Sequence, residues 1–175
     1  MPLKLWGCSV QPLVKVKAII VHHTAGDLGG RNEREYFEHI ERCHVEERGW
    51  QAIGYHWLVF PSGVTEPGRP ECLQGAHARR DGWNARSLGV AFVGALHEHP
   101  PTPAQIARGA DLIARLVMEH GLHLEDVLGH QETGAATLCP GRYLPMWMLR
   151  GKVREAIRCL VVACLHGRES IAPRE

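Results

Sequence analysis

A dominant charge of either sign is missing from this chain: its 175 residues carry 20 Lys and Arg against 19 Asp and Glu, a formal charge of +1. No global field gathers a polyanion, so nucleic acid is not expected as a partner. No run of eighteen apolar residues occurs, which predicts no membrane span, and Met1 to Val10 lacks the apolar core of a secretory leader, which predicts synthesis in the cytoplasm. The six cysteines, at positions 8, 43, 72, 139, 159 and 164, form no CxxC pair, so neither a zinc knuckle nor a small disulfide framework is indicated. No internal repeat or linker divides the chain. With 45% hydrophobic and 22% charged residues, 1–175 reads as one globular domain, able to bury roughly 70% of its unfolded surface. What is plentiful is histidine, 12 residues, and together with cysteine it points toward metal chemistry.

The patterning predicts a mixed α/β fold. Val16 to Val21 is almost continuously apolar, as in a strand buried on both faces, and it ends at His22, His23 and Thr24. Arg31 to Glu47 has helical composition, with Tyr36, Phe37, Ile40 and His44 at roughly helical spacing. Gly54 to Phe60, Pro61-Ser62-Gly63 and Val64-Thr65-Glu66 read as strand, turn and strand, which would put Tyr55 and Trp57 on one face and His56 on the other. Leu88 to Ala95 is a third core strand. Thr102 and Pro103 open a helix whose apolar stripe, Ile106, Ala110, Ile113 and Val117, runs to Gly121. His123 to Leu128 reads as a short strand or an extended segment that delivers His130, and Pro140 marks a helix start. A last helix, about 151–166, carries Val153, Ile157, Leu160, Val161, Cys164 and Leu165 on one face and is expected to dock on the core.

Three segments concentrate reactive side chains: His22-His23-Thr24-Ala25-Gly26, Gly54-Tyr55-His56-Trp57, and His130 through Thr137-Leu138-Cys139-Pro140-Gly141. A lone buried histidine is more often a hydrogen-bonded core residue than a ligand, and a lone cysteine a buried thiol. His22 and His23 adjoin on a strand, so only one of them can readily meet a metal held by distant segments.

Taken in order with Gly75-Ala76-His77-Ala78, Asn84 and Ser87-Leu88-Gly89-Val90, these blocks resemble the type 2 superfamily of zinc-dependent N-acetylmuramoyl-L-alanine amidases, which includes small phage endolysins and animal peptidoglycan recognition proteins. The resemblance runs from about Lys17 to Tyr143. It implies one domain with a central mixed sheet of about five strands, flanking helices and a metal at the strand ends. It also implies Zn2+ on His22, His130 and Cys139 with water in the fourth position, the open arrangement of a catalytic zinc, and Tyr55 beside the metal as a donor to the oxyanion. Thr137 falls where the family carries Lys or Thr, and His77, Arg79, Arg80, Trp83, Asn84 and Arg86 fall where it lines a groove for peptidoglycan, basic groups meeting carboxylates and aromatic faces packing on sugar or peptide.

The activity implied is hydrolysis of the amide between N-acetylmuramic acid and L-alanine, with a lytic role that needs another route to the wall, such as a holin. Ala91 or its apolar neighbours on the third core strand, and Cys139 as the implied third ligand, depart from the wall-recycling branch, which uses Glu and Asp there, and favour the endolysin-like branch. Two rivals share these atoms: a recognition module that binds muramoyl peptides without cutting them, and a thiol hydrolase with Cys139 activated by His130. An intracellular protein partner, the third residue of the stem peptide and the oligomeric state are not readable from the residues.

Overall fold

The computed structural model describes residues 4–5, 8–9, 11–79 and 81–169; Arg80 and most of Met1 to Val10 lie outside the described residues. A short antiparallel ladder, β1 (Lys4–Leu5) and β2 (Cys8–Ser9), precedes the main sheet. That sheet has five strands in the order β5-β4-β6-β3-β7. β3 (Ala18–His23) lies between β6 (Ser87–Phe92) and β7 (Val127–Gly129), parallel to both; β4 (Trp57–Val59) runs parallel to β6 and antiparallel to β5 (Thr65–Pro67). The expected mixed sheet of five strands is what the chain forms.

Two-residue alternation along β3 sorts its side chains between two layers. Ile19 and Val21 join Leu88, Val90 and Phe92 of β6 in the larger core, against Ala110, Ile113 and Val117 of α2 (Pro103–His120) and Leu149 and Val153 of α3 (Met146–Glu169). Ala18, Ile20 and His22 therefore face the other side. There α1 (Glu33–Arg42) packs Tyr36 and Ile40 onto Ile53, Leu58, Phe60 and Val93. The ladder runs two residues past Val21, pairing His22 with Ala91 and His23 with Phe92, so both histidines are held by the sheet and not by a loop.

Helix ends follow their capping chemistry. Asn32 Oδ1 accepts from the Glu35 amide and Glu35 Oε2 from the Asn32 amide, each at 2.9 Å, so α1 begins at Glu33 and not at Arg31. Past Arg42 the helix widens into a π-turn, Cys43–Glu47, closed by the Arg48 amide on the Cys43 carbonyl at 3.2 Å. α2 starts as expected, with Thr102 capping the Gln105 amide at 3.0 Å, and stops at Gly121 with φ 62°.

Three expectations are corrected. Pro140 does not start a helix: Gly141 has φ 101°, outside helical geometry, and α3 begins at Met146. α3 docks only along its first half. At 24 residues it outruns the 18 of α2, by about 9 Å at 1.5 Å per residue, and Leu160, Val161, Val162 and Leu165 are 38% to 58% exposed. Tyr55 and Trp57 do not share a face, because the strand starts only at Trp57; Tyr55 packs on the α1 side and Trp57 on the α2 side. Among the described residues no helix is long and apolar enough to cross a membrane.

Candidate metal centre

His22, at the end of β3, His130, directly after β7, and Cys139, in the turn beyond it, converge although 117 residues separate the first from the last. Their donor atoms lie within 4.8 Å of one another, and Cys139 Sγ is 3.7 Å from His22 Nδ1. Tetrahedral zinc with bonds of about 2.0–2.3 Å separates neighbouring N and S donors by about 3.3–3.6 Å, so two imidazoles and a thiol placed this way fit Zn2+ with small side-chain adjustments. Gly129 lets the segment close: a Cβ there would stand 3.0 Å from both Met146 Cγ and Pro140 Cδ. His23 points elsewhere, its Nδ1 accepting from the Leu96 amide at 3.0 Å and its ring edge-on to His97 at 5.3 Å. Its backbone N–H donates to Cys139 Sγ at 3.4 Å.

Burial sets the protonation states. It pushes His22 well below the usual histidine range, with His77 and His130 adding to the effect, and lowers His130 as well. It pushes the Cys139 thiol up to about 11, against the His23 N–H. A helix N-terminus would have lowered that value, but none stands there, since α3 starts seven residues later. The Tyr55 phenol, its ring 5.4 Å from that of His22, is pushed up to about 12 by burial and then by Cys139, so it remains a proton donor at neutral pH.

The centre opens into a cleft of about 690 Å³ lined by His22, Tyr55, His77, Arg79, His130, Thr137 and Cys139 among others. Thr137 Oγ1 accepts from the Cys139 amide at 3.1 Å, which leaves its hydroxyl hydrogen free to donate into the cleft. Arg79 is exposed on the rim.

Four residues expected in the groove are placed otherwise. Asn84 lies off the cleft, its Oδ1 accepting from the His77 amide at 2.9 Å and the Ala78 amide at 2.7 Å, because that loop has backbone donors to satisfy. Trp83 and Arg86 are also off the cleft, paired with each other, the guanidinium 4.3 Å from the indole ring. His77 reaches the cleft but is buried against His22, its Nδ1 3.1 Å from His22 Nε2; burial holds it down to about 3. The sequence reading missed the opposite wall, which includes Tyr36, His39, His44, Arg48 and Trp50. Tyr36 and His39 belong to the regular part of α1, and the π-turn takes the chain beyond it, through Arg48 and Trp50, off that spacing. His44, one turn beyond Ile40, faces inward and accepts from the Gly54 amide at 3.1 Å.

The family model described as N-acetylmuramoyl-L-alanine amidase matches residues 12–142. Peptidoglycan-recognition protein SC2 of Drosophila melanogaster is 32% identical over 125 residues, 70% of this chain and 66% of that protein, so the chain spans just under two thirds of this relative. Peptidoglycan recognition protein 1 of Bos indicus is 30% identical over 144 residues, 78% of this chain and 75% of that one. Among solved structures, N-acetylmuramoyl-L-alanine amidase LysC from Clostridium intestinale superposes with a TM-score of 0.69 at 30% identity, covering 80% of this chain and 86% of that one. Peptidoglycan recognition protein LE, in complex with tracheal cytotoxin, a monomeric diaminopimelic acid-type peptidoglycan, gives 0.67 at 28% identity over 81% of each chain. With this match over most of its length, the chain belongs to the N-acetylmuramoyl-L-alanine amidase family.

Proposed function

We propose that this chain is a zinc-dependent, endolysin-like amidase that hydrolyses the bond between N-acetylmuramic acid and L-alanine in peptidoglycan. The observation that carries the reading is the convergence of His22, His130 and Cys139 at the floor of an open cleft, with Tyr55 beside them. When bound there, Zn2+ supplies Lewis-acid polarisation of the scissile carbonyl and activation of a water. The protein supplies the rest. Tyr55, uncharged, donates a hydrogen bond to the carbonyl oxygen as negative charge develops on it, then serves as the path by which the leaving amine gains its proton. The Thr137 hydroxyl adds a neutral donor to the same oxygen, and Arg79 on the rim offers a cation to stem-peptide carboxylates.

The names of the curated relatives favour a second reading, a recognition module that binds muramoyl peptides without cutting them. A thiol hydrolase is disfavoured by Cys139, whose thiol burial makes harder to ionise, the reverse of what a nucleophilic cysteine needs. Mass spectrometry of digested peptidoglycan separates the three. Free L-alanine amino termini that vanish on chelation, with iodoacetamide having no effect on the zinc-loaded enzyme, support the amidase. Binding without cleavage supports recognition, and chelator-resistant, iodoacetamide-sensitive cleavage supports the thiol hydrolase.

A further inference from the structure

His77 sits in a slot that two glycines keep open. A Cβ on Gly75 would stand 2.5 Å from His77 Cδ2, and a Cβ on Gly89 would stand 2.5 Å from His77 Cγ. Both positions must stay bare for the ring to enter, and Asn84 holds the backbone beneath it. Within the slot the imidazole bridges two groups: its Nε2 is 3.4 Å from the Ser87 carbonyl oxygen and its Nδ1 is 3.1 Å from His22 Nε2.

The direction of this relay follows from what each atom can do. A carbonyl only accepts, so His77 Nε2 carries the hydrogen. A neutral imidazole has one N–H, which makes His77 Nδ1 an acceptor and obliges His22 Nε2 to donate to it. His22 Nδ1 is then left with its lone pair free, and this is the atom that faces Cys139 Sγ at 3.7 Å. We infer that His77 is a positioning residue, fixing His22 as the Nε2–H tautomer through the Ser87 carbonyl and so presenting His22 Nδ1 to the metal. Ser87 is the first residue of β6, paired with Ala18 of β3, so the sheet that carries His22 also carries the end of the relay. Such outer partners orient a ligating histidine and raise its basicity.

The inference rests on the zinc reading above, and its test separates the two. Long-range 1H–15N correlation spectra of the full chain, metal-free and with zinc, report the His22 tautomer; zinc affinity by chelator competition is measured for wild type, His77→Leu and His77→Asn, with thermal unfolding as the check on folding. His22 is expected with hydrogen on Nε2 in both wild-type spectra. His77→Leu, which removes the acceptor, should bind zinc about 10- to 100-fold more weakly, and His77→Asn, whose Oδ1 restores an acceptor, should regain most of that loss. Hydrogen on His22 Nδ1 overturns the inference, as does a folded His77→Leu that binds zinc as wild type does. A wild-type chain that takes up no zinc overturns the metal reading instead, while the metal-free spectrum still decides the relay.

Discussion

The His23 backbone N–H donates to Cys139 Sγ at 3.4 Å across 116 residues of chain, while the neighbouring His22 turns its Nδ1 to the same sulfur at 3.7 Å. One strand end thus supplies one member of the His22, His130 and Cys139 group and steadies another. An amide hydrogen on a sulfur is worth most when the sulfur is a thiolate, so the interaction favours the metal-loaded form. It requires His23 to be extended and its side chain to turn away, as the accepted bond from Leu96 shows.

Purified without added metal, the protein should contain close to one zinc per chain by elemental analysis. Cys139→Ala should reduce this to a small fraction while leaving the fold intact, since the sulfur lies at the rim of the core and Cys139 belongs to neither core cluster. Full zinc occupancy in Cys139→Ala would remove the cysteine from the ligand set.

Tyr55→Phe keeps the ring beside His22 and deletes the hydroxyl. Turnover on purified peptidoglycan should fall by about 10²–10³, the usual loss for one oxyanion donor, with zinc content and KM near wild type. Wild-type turnover would make Tyr55 a packing residue.

Most of the sheet and the meeting of His22, His130 and Cys139 are legible in the sequence for a physical reason: a buried parallel strand is a bare apolar run, and residues at its end have few places to go. Val16 to Val21 and Leu88 to Ala95 announce themselves this way, and Thr102-Pro103 and Gly121 bound α2 through local chemistry alone. Long-range geometry was not legible. Asn84 looks like a groove residue until the two amides that it caps are located. The π-turn at Cys43 leaves the same residue types in place and changes only the path of the chain beyond them, so Arg48 and Trp50 gave no signal. The apolar face of α3 continues to Leu165 in sequence, but the length of α2 decides how much of it is covered.

Thr137→Val should slow the reaction less than Tyr55→Phe, because in the proposed reaction Tyr55 also carries the proton to the leaving amine, whereas Thr137 offers a hydrogen bond alone. The same substitution frees the Cys139 amide, which Thr137 Oγ1 accepts at 3.1 Å, at a cost of about 1 kcal/mol. Steady-state kinetics with zinc measured on the same samples decides the role: an unchanged rate leaves only the structural bond, and lost zinc makes Thr137 a support for Cys139.

Acid should destabilise the metal-free fold through its buried histidines. Burial lowers both His44 and His56 to about 4, whereas in the unfolded chain each titrates near 6.5. From about pH 6.5 down to about pH 4 the unfolded state therefore binds protons that the folded state refuses, and stability falls with pH by up to about 1.4 kcal/mol per unit for each group. His44→Gln keeps an acceptor for the Gly54 amide and cannot take up the proton, so urea unfolding at pH 7.5, 5.5 and 4.5 should show a shallower decline. An identical slope would mean that His44 is not what acid attacks.

Gly89→Ala tests the slot itself. The new methyl would meet His77 Cγ at 2.5 Å and Nδ1 at 2.9 Å, while β6 needs no unusual backbone angle at this position, so the clash falls on the ring and not on the strand. Displacing the ring lengthens the bond from His22 Nε2, and zinc affinity should drop in step with a stability loss of about 1–3 kcal/mol, typical of an overfilled core. His77→Ala removes the atoms that collide, so adding Gly89→Ala to that background should cost much less in stability and nothing further in zinc binding. The two single variants and the double form a cycle, and its coupling energy isolates the contact. If Gly89→Ala costs the same with and without the imidazole, the glycine serves the sheet, and the slot is not what it was kept for.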